Sequence, residues 1–96
     1  MIINLSPNLD APALTVKKKG DVLTINGEVF DFSPLPDGAT LPASAMECES
    51  ILGDVERVNG ELNITLLLPI TPDSSGAARF PSPIIRPANG LLEFPK

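Results

Sequence analysis

Asn-Gly occurs three times in this chain, at Asn26-Gly27, Asn59-Gly60 and Asn89-Gly90. A two-residue type I′ turn needs positive φ at both central residues, which Gly adopts freely and Asn tolerates. Asn-Gly flanked by apolar runs is therefore a hairpin signal with a mechanism. Three of them in 96 residues point to an all-β fold.

The first hairpin can be written in register. A loop at Asn26-Gly27 pairs Ile25 with Glu28, Thr24 with Val29, Leu23 with Phe30 and Val22 with Asp31. Side chains alternate along a strand, so Leu23, Ile25, Phe30 and Phe32 share one face, the expected core face. A loop at Asn59-Gly60 pairs Arg57 with Leu62, Glu56 with Asn63, Val55 with Ile64 and Asp54 with Thr65. Ile51, Val55, Leu62, Ile64, Leu66 and Leu68 then lie on one face, and Asp54, Glu56, Glu61, Asn63 and Thr65 on the other. That is an antiparallel pair with one wet face. In this register Gly53 falls opposite Leu66, a place for a bulge, and Leu52 faces Leu67.

Upstream, residues 1–5 and 14–18 read as further strands, broken by Ser6-Pro7-Asn8 and Lys19-Gly20-Asp21. Ser33 to Pro42 holds three prolines and a Pro-Asp-Gly turn, and reads as an ordered loop. Ala43 to Cys48 reads as a strand leading into Ile51. From Pro69 onward lie six of the eleven prolines. Thr71 to Gly76 reads as a loop, and Phe80 to Pro87 cannot be a central strand because proline removes ladder donors. The third Asn-Gly would pair Arg86 with Glu93 and Ile85 with Phe94 as an edge hairpin. The alternative is an extended arm docked on this chain or a neighbour.

The expected fold is a small antiparallel meander, sandwich or partly open barrel of about six to eight strands. Residues 1–79 form the hairpin region and 80–96 the proline-rich arm or edge hairpin, both within one domain.

Composition narrows the chemistry. Histidine, tryptophan and tyrosine are absent, and Cys48 is the single cysteine. No intrachain disulfide and no cysteine–histidine zinc site can form, and Cys48 reads as a small buried apolar residue. A serine or threonine nucleophile would lack the usual base, Ser-x-x-Lys spacing is absent, and no glycine-rich phosphate loop occurs. No catalytic residue, cofactor or metal is expected. Glu47, Glu49, Asp54 and Glu56 cluster in sequence but lack calcium-loop spacing, and read as a solvated acidic face.

Seven basic and twelve acidic residues leave a net charge of -5, which disfavours nucleic acid and anionic lipid. Lys17-Lys18-Lys19 reads as a turn or a protected sheet edge. The N-terminus has no basic-then-apolar leader pattern, and no apolar run is long enough to span a bilayer. A cytosolic protein is the default expectation.

Three stretches carry a resemblance: Gly20-Asp21-Val22-Leu23-Thr24-Ile25-Asn26-Gly27-Glu28-Val29-Phe30-Asp31-Phe32 running on through Pro42, Gly53-Asp54-Val55-Glu56-Arg57-Val58-Asn59-Gly60-Glu61-Leu62, and Phe80-Pro81-Ser82-Pro83-Ile84. They resemble a family of small proteins of tailed bacteriophages and prophages, often encoded among tail genes. The resemblance covers most of the chain, but its motifs are structural and transfer no site residues. It implies a phage accessory protein working by protein–protein contact in the bacterial host cytoplasm or on the virion, as a minor tail component or tail-assembly factor. Phe80, Ile84, Ile85, Leu92 and Phe94 are the expected contact residues, and a homo-oligomer is an open possibility. The alternative is a small acidic phage protein that inhibits a host enzyme or defence factor, with Glu47, Glu49, Asp54 and Glu56 mimicking nucleic-acid charge.

Overall fold

The computed structural model describes residues 1–95. The chain is mostly β: β1 (Ile2–Asn8), β2 (Val16–Lys19), β3 (Val22–Ile25), β4 (Glu28–Asp31), β5 (Thr40–Leu41), β6 (Ile51–Val58), β7 (Glu61–Pro69), β8 (Ile84–Ile85) and β9 (Gly90–Leu91). A 3₁₀ turn at Ala43–Ala45 and a helix α1 (Gly76–Arg79) complete it. One sheet has the order β5-β6-β7-β1-β8, the other β4-β3-β2-β9. Among the described residues nine strands form, more than expected, because three two-residue strands, β5, β8 and β9, cap sheet edges.

The first two Asn-Gly turns form as their chemistry requires. Asn26 and Gly27 have φ of 50° and 84°, Asn59 and Gly60 of 51° and 79°. The β3–β4 register is the one written from the sequence, with Ile25 opposite Glu28 and Leu23 opposite Phe30. Its core face buries Leu23, Ile25 and Phe32, and the Phe30 and Phe32 rings stack with centroids 6.4 Å apart. Gly20-Asp21, expected only as a break, turns a further hairpin between β2 and β3. The Lys17-Lys18-Lys19 run is accordingly not at an edge: it lies in β2, between β3 and the short β9.

In the β6–β7 hairpin, Arg57 opposes Leu62 and Glu56 opposes Asn63 as written. The pairs expected for Val55 and Asp54 do not form. Beyond Glu56 the register shifts, so Leu52 meets Thr65 and Ile51 meets Leu66. Gly53 supplies the needed backbone, with φ +67°. The shift is by two residues, an even number, so alternation survives it. Ile51 and Val55 both remain buried, at 6% and 0% exposure.

Two further expectations are corrected, and a third is refined. Ala43 to Cys48 is no strand: Pro42 enters a short 3₁₀ turn, whose first N–H, at Ala43, donates to Asp54 Oδ1 at 3.0 Å. The loop expected from Thr71 forms as far as Ser75, and a helical turn follows from Gly76, capped by the Ser75 hydroxyl, which accepts the Ala78 N–H. Ser6-Pro7-Asn8 does not end β1, which runs parallel to β7 as far as Asn8 opposite Pro69. β8 flanks β1 only at Ile2 and Ile3, so Pro7 sits where one side of the strand has no sheet partner.

The third Asn-Gly makes no hairpin. Ile84 and Ile85 pair with Ile3 and Ile2 of the first sheet, while Gly90 and Leu91 pair with Lys18 and Lys17 of the second. The intervening residues carry the chain from one sheet to the other, with positive φ at Arg86 and Gly90. An isolated two-stranded hairpin is marginal in water, whereas each existing edge supplies backbone partners and apolar neighbours. The arm expected over 80–96 is seen to residue 95, its last position lying outside the described residues.

Both sheets contribute to one core. Ile3, Ile51, Val55, Leu62, Ile64 and Leu66 of the first meet Val16, Leu23 and Ile25 of the second, together with Phe32 and Met46. Burying one such aliphatic side chain stabilises the fold by about 1.5–3 kcal/mol.

Candidate functional site

The C-terminal segment concentrates what the surface offers. Phe80 follows α1 directly and is 85% exposed. Ile85 is 63% exposed and Leu91 62%, each on a two-residue edge strand. Ile84, Leu92 and Phe94 face the other way, half-buried against the core cluster. The five expected contact residues therefore split. Phe80 and Ile85 are available to a partner as they stand, whereas Ile84, Leu92 and Phe94 are engaged within the chain.

Leu92 and Phe94 also line a groove of about 900 Å³ between the C-terminal segment and the residues after β7. Leu14 and Leu68 supply further apolar wall, and the exposed carboxylates of Asp73 and Glu93 are the charged groups along it. The loop on its far side is held locally: Ser74 Oγ accepts the Thr71 N–H at 2.8 Å, and Arg79 donates to the carbonyls of Pro72 and Ser74.

The expected acidic residues are all exposed. Glu56 lies on β6 between Thr40 and Asn63, while Glu47 and Glu49 lie in the connection before β6, Glu47 with φ +46°. Asp54 is committed to the Ala43 N–H. None of the four is in an ion pair among the described residues. Among the described residues, no three His, Cys, Asp or Glu side chains come together as a metal site. Cys48 is a half-buried free thiol packed against the core.

Two carboxyls are perturbed. Glu61 is held below the ordinary carboxylate range chiefly by a hydrogen bond from Arg86 Nε, at 3.1 Å, with the Met1 ammonium 3.8 Å away. Asp31 is lowered by the Ser33 hydroxyl and the Ser33 N–H, both donating to Oδ1. Both are local surface contacts that fix β7 to the β8–β9 connection and close the end of β4.

Two polar clusters escape a reading of strand pattern alone. Arg57 is 11% exposed and sits on the apolar face of β6. Its guanidinium donates to Leu35 O at 2.6 Å, Phe32 O at 2.9 Å and Asp21 Oδ2 at 3.0 Å, joining β6 to the β2–β3 turn and the proline loop. The Asn26 carboxamide accepts the Thr15 N–H and donates to Ala13 O, both within hydrogen-bond distance at 2.7 and 2.9 Å, fixing the approach to β2. A signal for Arg57 did exist. The written register places a guanidinium opposite Leu62, on the core face, where a charge needs partners.

No helix among the described residues is long and apolar enough to cross a membrane. No family model matches this chain, and no curated protein or solved structure matches it either.

Proposed function

We propose that this chain is a non-enzymatic accessory protein of a tailed phage or prophage that acts by binding another protein, as a minor tail component or a tail-assembly factor. The observation that carries the binding part is the exposure of Phe80 and Ile85 on a segment whose neighbouring apolar residues are packed down. Large apolar side chains left in water are a contact surface in search of a partner. The segment is also preordered, since proline restriction and edge pairing at β8 and β9 reduce the entropy lost on association. The phage part rests on the resemblance of residues 20–42, 53–62 and 80–84. The same reading locates the protein in the bacterial host cytoplasm, with the virion as a further location.

Mass spectrometry of purified virions tests the tail reading. Stoichiometric copies support it. Their absence, with a host protein recovered on the purified chain, overturns it in favour of a host-directed inhibitor. That second reading is favoured by one observation: Glu47, Glu49, Asp54 and Glu56 are exposed and unpaired with any cation among the described residues. Charge reversal at Glu47 and Glu49 would then abolish capture, whereas Phe80→Ser with Ile85→Ser would abolish a contact made by the C-terminal segment.

A further inference from the structure

The three Asn-Gly pairs are chemically alike and structurally unlike. Asparagine before glycine is the least hindered setting for attack of a main-chain nitrogen on its own neighbour's carboxamide, one reason asparagine counts among the thermolabile residues. What decides reactivity in a folded chain is whether the carboxamide can turn and whether the glycine N–H can lose its proton. Asn26 is pinned at both ends of its carboxamide, accepting from Thr15 N–H and donating to Ala13 O. Asn89 Oδ1 accepts from Gly20 N–H and Lys18 Nζ, each at 3.0 Å, which ties that carboxamide to the β2–β3 turn. Asn59 is exposed, and no hydrogen bond holds its carboxamide among the described residues.

At this same turn the Gly60 N–H donates to Asp37 Oδ1 at 2.9 Å. The proline loop is fixed there by two main-chain bonds, Gly38 N–H to Arg57 O at 2.7 Å and Arg57 N–H to Ala39 O at 3.1 Å. A carboxylate is thus held on the one proton that must leave. Proton acceptance by a positioned carboxylate is ordinary general-base chemistry. Neither Gly27 nor Gly90 has a carboxylate recorded on its N–H among the described residues.

We propose that Asn59-Gly60 is a built-in deamidation site, with Asp37 as the base. The Gly60 nitrogen attacks Asn59 Cγ while its proton passes to Asp37. The Cγ–Nδ2 bond then breaks, and the departing nitrogen takes that proton and leaves as ammonia, closing a succinimide. Water opens the ring at either carbonyl, giving aspartate or isoaspartate at position 59. The balance is one water consumed and one ammonia released, with no change of oxidation state. The product places a second carboxylate beside Asp37, at the tip of the β6–β7 hairpin. The isoaspartate form also adds a methylene to the backbone of a turn whose two-residue length sets the register.

The test is incubation of the full chain at neutral pH and 37 °C, with peptide mapping by mass spectrometry and ¹H–¹⁵N spectra of the carboxamide groups over time. Conversion is expected first at Asn59, with the Asn26 and Asn89 carboxamide signals persisting. Asp37→Asn keeps an acceptor oxygen but cannot take the proton, and should slow conversion at Asn59 by about tenfold. Main-chain signals away from the two loops report whether that variant is folded. Earlier conversion at Asn26 or Asn89, or an unchanged rate in a folded Asp37→Asn variant, overturns the proposal.

Discussion

Replacing Arg57 with alanine should strip the fold of a charged side-chain link between the apolar face of β6 and the loops of the other sheet. The guanidinium is 11% exposed and its partner Asp21 is 38% exposed. Truncation leaves the Leu35 carbonyl without this donor, the Phe32 carbonyl with only the Leu35 N–H at 3.1 Å, and Asp21 without its cation. The Asp21 pair is partly solvated and contributes only about 0–1 kcal/mol. The two carbonyl bonds come from a charged donor and contribute about 1.5–3 kcal/mol each. Together these put the loss near 3–7 kcal/mol, a large share of the roughly 5–15 kcal/mol that holds a domain of this size. The assay is urea unfolding followed by far-UV circular dichroism, because the chain has no tryptophan or tyrosine to report by fluorescence. With a slope of about 1 kcal/mol/M, the midpoint should fall by roughly 3 M or more. Asp21→Asn keeps the shape and both carbonyl bonds, and should cost only about 1 kcal/mol. An Arg57→Ala variant losing less than about 1 kcal/mol would refute the reasoning. So would an Asp21→Asn variant as damaging as Arg57→Ala, since the ion pair would then outweigh the carbonyl bonds.

Ile64→Ala opens a hole in the shared core, where the side chain is 1% exposed, and should cost about 2–5 kcal/mol by the same urea assay. Asn26→Gly keeps the turn's backbone freedom but loses the clamp on residues 13–15, so it should destabilise by about 1–2 kcal/mol, whereas Asn59→Gly should be near neutral. Glu61 sits below its ordinary value when folded, so its stabilising share is fully present above about pH 4.3 and fades as pH falls through the lower folded value. An NMR titration of its carboxyl should move up toward the ordinary range in Arg86→Ala; a curve that does not move would rule out the Arg86 contact. Phe80→Ser with Ile85→Ser should leave the unfolding free energy within about 0.5 kcal/mol of the parent, since both are solvent-facing. Deleting residues 81–96 removes the edge strands β8 and β9, and should lower the unfolding midpoint. A fall in mass by light scattering in that variant would instead reveal an oligomer held by the arm.

The sequence by itself determined what depends on neighbours in the chain. Asn-Gly chemistry and period-two alternation fixed the β3–β4 register pair by pair, and the β6–β7 hairpin near its turn, because both act over a few residues. Tertiary structure decided everything that depends on competition between distant partners. β1 runs parallel to β7 across some sixty residues of sequence, a pairing for which no local turn can vote. The third Asn-Gly lost its hairpin because Ile2–Ile3 and Lys17–Lys18 offered open ladders on two different sheets. Gly53 marked the place for a bulge, but the two-residue size of the shift could not be read from the alternation, since an even shift preserves which face each side chain takes. The expected contact list divides for the same reason. Phe80, Ile84, Ile85, Leu92 and Phe94 are equally apolar in sequence, and only the path of the chain between two sheet edges sets which ones water still reaches.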